Sequence, residues 1–180
     1  MVRRSTWIVL AILVVLICIA ILVGRRNAEQ TEETTSTPPA KVLINKSSSD
    51  IKSLLIKKNT GESIEFEKNE NNDWVFSDSN DQVVDNTVLE NAITQFLTTS
   101  ALSEINPAPP GQATGMDNPA YIIELRYSQG NLDSIQIGKQ TQTESGYYLK
   151  TSENTIFVVN PSGVDAMINM INNPPVLSEE

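Results

Sequence analysis

The sequence predicts an α+β fold: a mostly antiparallel β-sheet with two amphipathic helices, after one N-terminal transmembrane helix. Three observations support this prediction. The run 7–23 is continuously apolar, residues of 41–176 alternate between apolar and polar over many short stretches, and two segments repeat their apolar residues at helical spacing. Alternation is typical of strands that bury one face, whereas helical spacing produces one apolar stripe along a helix.

The apolar run 7–23 predicts a membrane anchor. Its seventeen residues carry no charge, amide or hydroxyl, and Arg3, Arg4, Arg25 and Arg26 flank it. A helix of this length covers about 25 Å, and the flanking arginines can extend to the headgroups of a ~30 Å hydrocarbon layer. The run is longer than the ~7–15 apolar residues of a signal peptide, and no small-x-small cleavage site follows it. We therefore expect an uncleaved anchor.

The charges around the anchor favour one orientation. Because arginines lie on both sides, the positive-inside rule gives a small bias, and the short tail 1–6 is easily retained in the cytoplasm. We expect a single-pass cell-membrane protein whose C-terminal part is extracytoplasmic. Its segments are a flexible linker at 24–40, a domain at 41–176 and a tail at 177–180.

Composition limits the partners of the C-terminal part. Residues 27–180 contain nine basic and 22 acidic side chains, a formal charge of −13. This charge repels nucleic acid and anionic lipid, so no nucleic-acid partner is expected. The linker contains three glutamates, ends in Pro38 and Pro39, and lacks large apolar residues, which indicates an extended tether.

Strands are predicted where alternation is bounded by turn residues. Ile64 and Phe66 alternate with Ser63, Glu65 and Glu67, which is typical of a half-buried antiparallel strand. The predicted strands are 42–45, 51–58, 63–68, 73–77, 101–105, 120–128, 132–138, 146–151 and 155–159.

Two helices are predicted to pack on this sheet. The first has apolar pairs at Val88/Leu89, Ala92/Ile93 and Phe96/Leu97, and the second has Val164, Met167, Ile168 and Ile171. Asp85 and Thr87 are competing N-caps of the first helix, and Ser162 with Asp165 resembles a start signal of the second. The order of elements also suggests an internal repeat of two β-meander-plus-helix units.

Catalytic groups are scarce. The sequence contains no histidine, its one cysteine, Cys18, lies in the predicted anchor, and its eight glycines form no phosphate-binding loop. Histidine-dependent triads and His- or Cys-ligated metal sites are thereby excluded. We expect a protein that is not an enzyme and that has no cofactor, no catalytic residue and no metal ligand.

Two alternatives remain open. Asp78, Asn80, Asp81 and Asp85 form the densest group of oxygen ligands and motivate a small-ligand or cation-binding sensor domain. The group lacks the central glycine and terminal glutamate of an EF-hand, so a solvated turn is the preferred interpretation. A carboxylate-based hydrolase using Glu65 and Glu67 is the least favoured alternative.

Tyr147 and Tyr148 are the best candidates for an interaction surface. Tyr and Trp are enriched in interfaces, and consecutive strand residues face opposite sides, so one of the two tyrosines is expected to face outward. Trp74 and Tyr121 are expected in the core.

One turn carries a resemblance. The stretch 115–121, with Gly115, Asp117, Asn118 and Pro119, resembles the Gly-Leu-Asp-x-Pro element of an uncharacterised bacterial family, the domain of unknown function numbered 4340 (DUF 4340). Met116 replaces the usual leucine. The stretches 135–138 and 146–149, Trp74, and the prolines at 174–175 fit the same pattern, and the resemblance covers 41–176.

The resemblance implies a membrane-anchored extracytoplasmic domain without known catalytic residues, in a family with some members associated with ABC-transporter or gliding-motility systems. From the residues alone, the turn chemistry of Asp117-Asn118-Pro119 already explains this stretch. The resulting hypothesis is a domain that mediates protein interaction in the bacterial envelope, with an envelope or transporter-complex protein as its partner.

Overall fold

The computed structural model describes residues 41–44, 46–78, 82–151 and 154–177. Contacts divide the chain into Met1–Pro39 and Ala40–Glu180, and the first unit lies outside the described residues. The predicted anchor at 7–23 is therefore not described. Among the residues that are described, no helix is both long and apolar enough to cross a membrane.

Within the described residues, the second unit is built on one antiparallel sheet of nine strands, numbered β1 to β9 along the chain, and their order in the sheet is β1-β5-β9-β8-β7-β6-β2-β3-β4. Two twelve-residue helices, α1 (Asn86–Leu97) and α3 (Pro161–Asn172), accompany it, with the short α2 (Gly111–Thr114) between them. The predicted α+β class, mostly antiparallel, is confirmed. The strands are β1 Lys41–Val42, β2 Ile51–Lys58, β3 Ser63–Lys68, β4 Trp74–Phe76, β5 Ser100–Ile105, β6 Tyr121–Tyr127, β7 Leu132–Gln140, β8 Tyr147–Lys150 and β9 Ile156–Val159.

Two meanders meet at the centre of the sheet. The strands β2, β3 and β4 follow one another through tight turns, and so do β6, β7, β8 and β9. The meanders join because β2 pairs with β6, with Leu54 opposite Leu125 and Ile56 opposite Ile123. All four side chains are fully buried, so apolar packing holds the two halves in register.

The hydrophobic core lies on one face of the sheet, under α1 and α3. Leu89, Ile93 and Phe96 of α1, together with Val164 and Met167 of α3, form one buried cluster with the inward side chains of the strands. These positions belong to the predicted apolar stripes, but Val88, also predicted, is exposed, and Met170, not predicted, is buried. A single stripe per helix is enough because each helix contacts the sheet on one side only.

The opposite face of the sheet, here called the outer face, is crossed by the segment 106–120 that connects β5 to β6. Ile135 and Ile137 of β7 belong to the core, so Gly138 faces the other way. A Cβ atom on Gly138 would overlap the carbonyl oxygen of Thr114 and lie 3.0 Å from Cε of Met116. The turn of α2 therefore packs directly on the backbone of β7.

Several local predictions were wrong. The first strand is Lys41–Val42 rather than 42–45, and the segment after Pro110, where no helix was predicted, contains α2, which ends where Gly115 adopts a left-handed φ of 81°. The second long helix is capped by Asn160, two residues before the expected Ser162, because the side chain of Asn160 accepts from the backbone N–H of Ser162. For α1 the competition is decided in favour of Asp85, which accepts from the backbone N–H of Val88.

Candidate functional site

The turn at Gly115–Pro119 lines a surface cavity of about 400 Å³, here called the Asp117 cavity. Its walls come from three parts of the chain: the β2–β3 turn, the segment 106–120 and the end of β7. Three glycines line it, Gly111, Gly115 and Gly138. The polar side chains around it are those of Asn59, Gln112, Asp117, Asn118 and Lys139.

The glycines of this turn have packing reasons. Gly115 has positive φ, and a Cβ atom there would lie 2.9 Å from the backbone nitrogen of Lys139. A Cβ atom on Gly111 would overlap the carboxylate of Asp117, which lies directly over that backbone. A side chain at Gly115 would push the turn after α2 away from β7, and one at Gly111 would displace the carboxylate of Asp117.

Opposite charges line the Asp117 cavity. The Lys139 ammonium donates to the backbone carbonyl of Gln112 at 2.9 Å, which holds it in place and leaves further N–H donors available. Lys139 and Asp117 are both among the described residues, and they form no ion pair with each other, defined by a nitrogen–oxygen distance within 4.0 Å. The cavity thus combines a cation, an anion and amide groups, an arrangement suited to binding.

Tyr147 lies on the helix-covered face. Its ring packs against the core, and its hydroxyl donates to Oδ1 of Asp165 at 2.8 Å while accepting from Nε2 of Gln140 at 2.9 Å. Burial raises the pKa of Tyr147 to about 12, and the carboxylate of Asp165 adds to the rise. Tyr147 therefore links the first residue of β8 to α3 through a hydrogen bond, and it does not provide a free interaction surface.

Tyr148 lies on the outer face, directly opposite Val158 of β9. Leu102 is adjacent, because Gly146 approaches both side chains: a Cβ atom there would lie 2.9 Å from Cγ1 of Val158 and 3.4 Å from Cδ1 of Leu102. Leu102 is 53% exposed, and none of the three side chains belongs to the core cluster. Leu102, Tyr148 and Val158 are called the Tyr148 patch below.

Among the remaining predicted positions, those that the structure describes are not brought together. Asn80 and Asp81 lie outside the described residues, as do Arg3, Arg4, Arg25 and Arg26. Asp78 borders a smaller cavity of about 280 Å³ near β3 and α3, whereas Asp85 caps α1. In the described ranges, no group of three or more metal-ligating side chains occurs.

Sequence reasoning missed the lysine and amide walls of the Asp117 cavity. Lys139 and Gln112 follow glycines that the packing requires, and Asn59 comes from a turn about sixty residues away. None of these three residues carries a local sequence signal of a binding site, because the cavity exists only where the segment 106–120 crosses β7. The expected core positions Trp74 and Tyr121 do pack into or against the core.

Comparison with known proteins is negative in all three cases. No family model matches the chain, and neither a curated protein nor a solved structure matches it. Function must therefore be inferred from the geometry of these surfaces.

Proposed function

We propose that this chain is a non-enzymatic, single-pass, membrane-anchored extracytoplasmic domain that mediates protein interaction in the bacterial envelope. As the resemblance to DUF 4340 suggests, its partner would be a subunit of an ABC-transporter or gliding-motility type of complex. The observation that carries the interaction proposal is the Tyr148 patch, an apolar group on the sheet face that α1 and α3 leave uncovered.

The patch also suggests the chemistry of the partner. Tyr offers a large rigid contact area, and Lys150 lies on the same face of β8, since it is two residues beyond Tyr148. A partner that fits would present an apolar side chain beside a carboxylate. The apolar contact would supply affinity, and the ion pair would fix the orientation.

Photo-crosslinking in native membranes tests this proposal. A photoreactive phenylalanine derivative at position 148 is expected to crosslink one envelope protein, whereas the same group at Tyr147 or at Glu65 is expected to give no such product. Lys150→Glu should weaken that crosslink, while Lys57→Glu, on the same face but paired with Glu124 at 3.3 Å, should not. Crosslinking to a second copy of this chain, or equal products at all three positions, would overturn the proposal.

The membrane anchor needs its own test. We expect the full chain to stay in the membrane pellet after an alkaline carbonate wash, and the C-terminal domain to be digested by protease added outside intact cells. Val15→Arg places a charge at the middle of 7–23, a change of about 2.5–3.5 kcal/mol against insertion, whereas Val15→Leu is the matched control. Release of both variants alike would argue against the anchor.

The finer fold proposal is a duplicated β-meander-plus-helix unit. The halves β2–β4 with α1 and β6–β9 with α3 have the same order of hairpins and helix, and they meet at the antiparallel pair β2 and β6. The second half has one additional strand. The two helices pack together on the same face, as the proposal requires.

A further inference from the structure

The Asp117 cavity has the size and wall chemistry of a small-ligand site. Its volume of about 400 Å³ lies within the ~300–1,000 Å³ range of ligand pockets. It is open to solvent, and Asp117, Asn118 and Gln112 around it are exposed. A ligand can therefore enter without movement of a core element.

The charges of the cavity restrict the class of ligand. Asp117 can accept hydrogen bonds from a cationic group, and Lys139 can donate to an anionic one while still bound to the carbonyl of Gln112. Because these two charges line one cavity without forming an ion pair with each other, a ligand that carries both signs matches them better than a cation or an anion alone.

The remaining walls favour a peptide. Amide side chains of Asn59, Asn118 and Gln112 each offer a donor and an acceptor, as peptide groups require. No aromatic side chain lines the described walls of the cavity, so a sugar ring would lack a stacking surface.

We propose that the Asp117 cavity binds a zwitterionic ligand, a short peptide or amino acid with free termini. Its ammonium would bind the carboxylate of Asp117, and its carboxylate would bind the ammonium of Lys139. The assignment does not depend on the protein-interaction proposal, because the Tyr148 patch and the Asp117 cavity share no residue, although Tyr148 of β8 lies across from Gly138 and Lys139 of β7.

Amide-resolved NMR titration of the purified full chain tests this assignment. Tri-alanine with free termini is expected to shift the amides of 111–120 and 138–139, whereas tri-alanine with blocked termini, and glucose, are expected to leave them unchanged. Asp117→Asn and Lys139→Met should each weaken the binding roughly tenfold or more, since each removes one charge-assisted contact. Glu65→Gln is the control that should leave it unchanged.

Three results would overturn the proposal. The first is the absence of amide shifts at about 10 mM tri-alanine, since the Kd would then be too weak for a specific site. The second is an equal shift caused by the blocked peptide. The third is binding of glucose instead of tri-alanine. Because Asp117 lies over Gly111, folding of Asp117→Asn is checked in the same spectra. Lys139→Met removes only an exposed hydrogen bond to the carbonyl of Gln112, so its fold should be unchanged. It therefore still tests the proposal if Asp117→Asn does not fold correctly.

Discussion

The carbonyl oxygen of Thr114 occupies the space that a Cβ atom on Gly138 would need. This contact is the point at which the segment 106–120 rests on the sheet, and Thr114 is only 1% exposed there. The contact between Thr114 and Gly138 places Asp117 and Lys139 in the walls of the same cavity. The ligand proposal therefore depends on a backbone contact that only glycine allows.

Gly138→Ala should destabilise the domain by about 1–3 kcal/mol, since the added methyl must displace α2. Urea unfolding of the variant and of Gln136→Ala, a change on the same face of β7 without such a contact, provides the comparison. Equal stability of the two variants would mean that α2 moves away freely.

Gly163 provides the matching contact between the long helices. A Cβ atom there would overlap Oγ1 of Thr99 and lie 3.1 Å from Cα of Phe96. Gly163→Ala is expected to lower the free energy of unfolding by about 1–3 kcal/mol, because α1 and α3 must separate. The added change Thr99→Ala should restore part of this loss in a double-mutant cycle, since it removes the nearest atom. Strict additivity would contradict the contact.

Glu90 joins α1 to the edge of the sheet. Its Oε1 accepts from Nε1 of Trp74 at 2.7 Å and lies 3.2 Å from Nζ of Lys68, whose side chain is only 5% exposed. Glu90→Gln keeps an acceptor for the indole but leaves the buried ammonium without its counter-charge, and we expect a loss of about 1–3 kcal/mol.

Lys68→Met is the informative comparison for Glu90→Gln, because it removes the buried charge itself. Replacement of a buried charge by an apolar side chain of similar length should destabilise the domain less than Glu90→Gln does. Thermal or urea unfolding ranks the two variants. The reverse order would show that solvent screens Lys68 well despite its burial.

The pKa of Tyr147 predicts a dependence of stability on alkaline pH. Because the folded pKa of about 12 is higher than the ordinary 10.0, the neutral phenol is favoured in the fold. This contribution is fully present below pH 10 and is lost as pH rises toward 12. The free energy of unfolding of Tyr147→Phe should therefore fall less steeply over this interval than that of the native chain. Parallel curves would contradict the raised pKa of Tyr147 in the folded state, which burial and the hydrogen bond to Asp165 cause together.

Local periodicity was enough to predict most elements. The strands at 51–58 and 63–68 were predicted residue for residue, and both long helices and most of their buried residues followed from apolar spacing. These features depend on which residues within a few positions of each other share a face. The α2 turn escaped prediction because its four residues are too few to show a period.

The sequence by itself determined the fold class, the positions of most strands and of the two long helices, and the scarcity of catalytic groups, because each follows from local spacing or composition. Only the tertiary structure decided that β2 pairs with β6, that Tyr148 rather than Tyr147 faces outward, and that Asp117 and Lys139 line one cavity. Those outcomes depend on contacts between residues far apart in the chain. They are selected by the packing of the whole sheet, which no short stretch of sequence encodes.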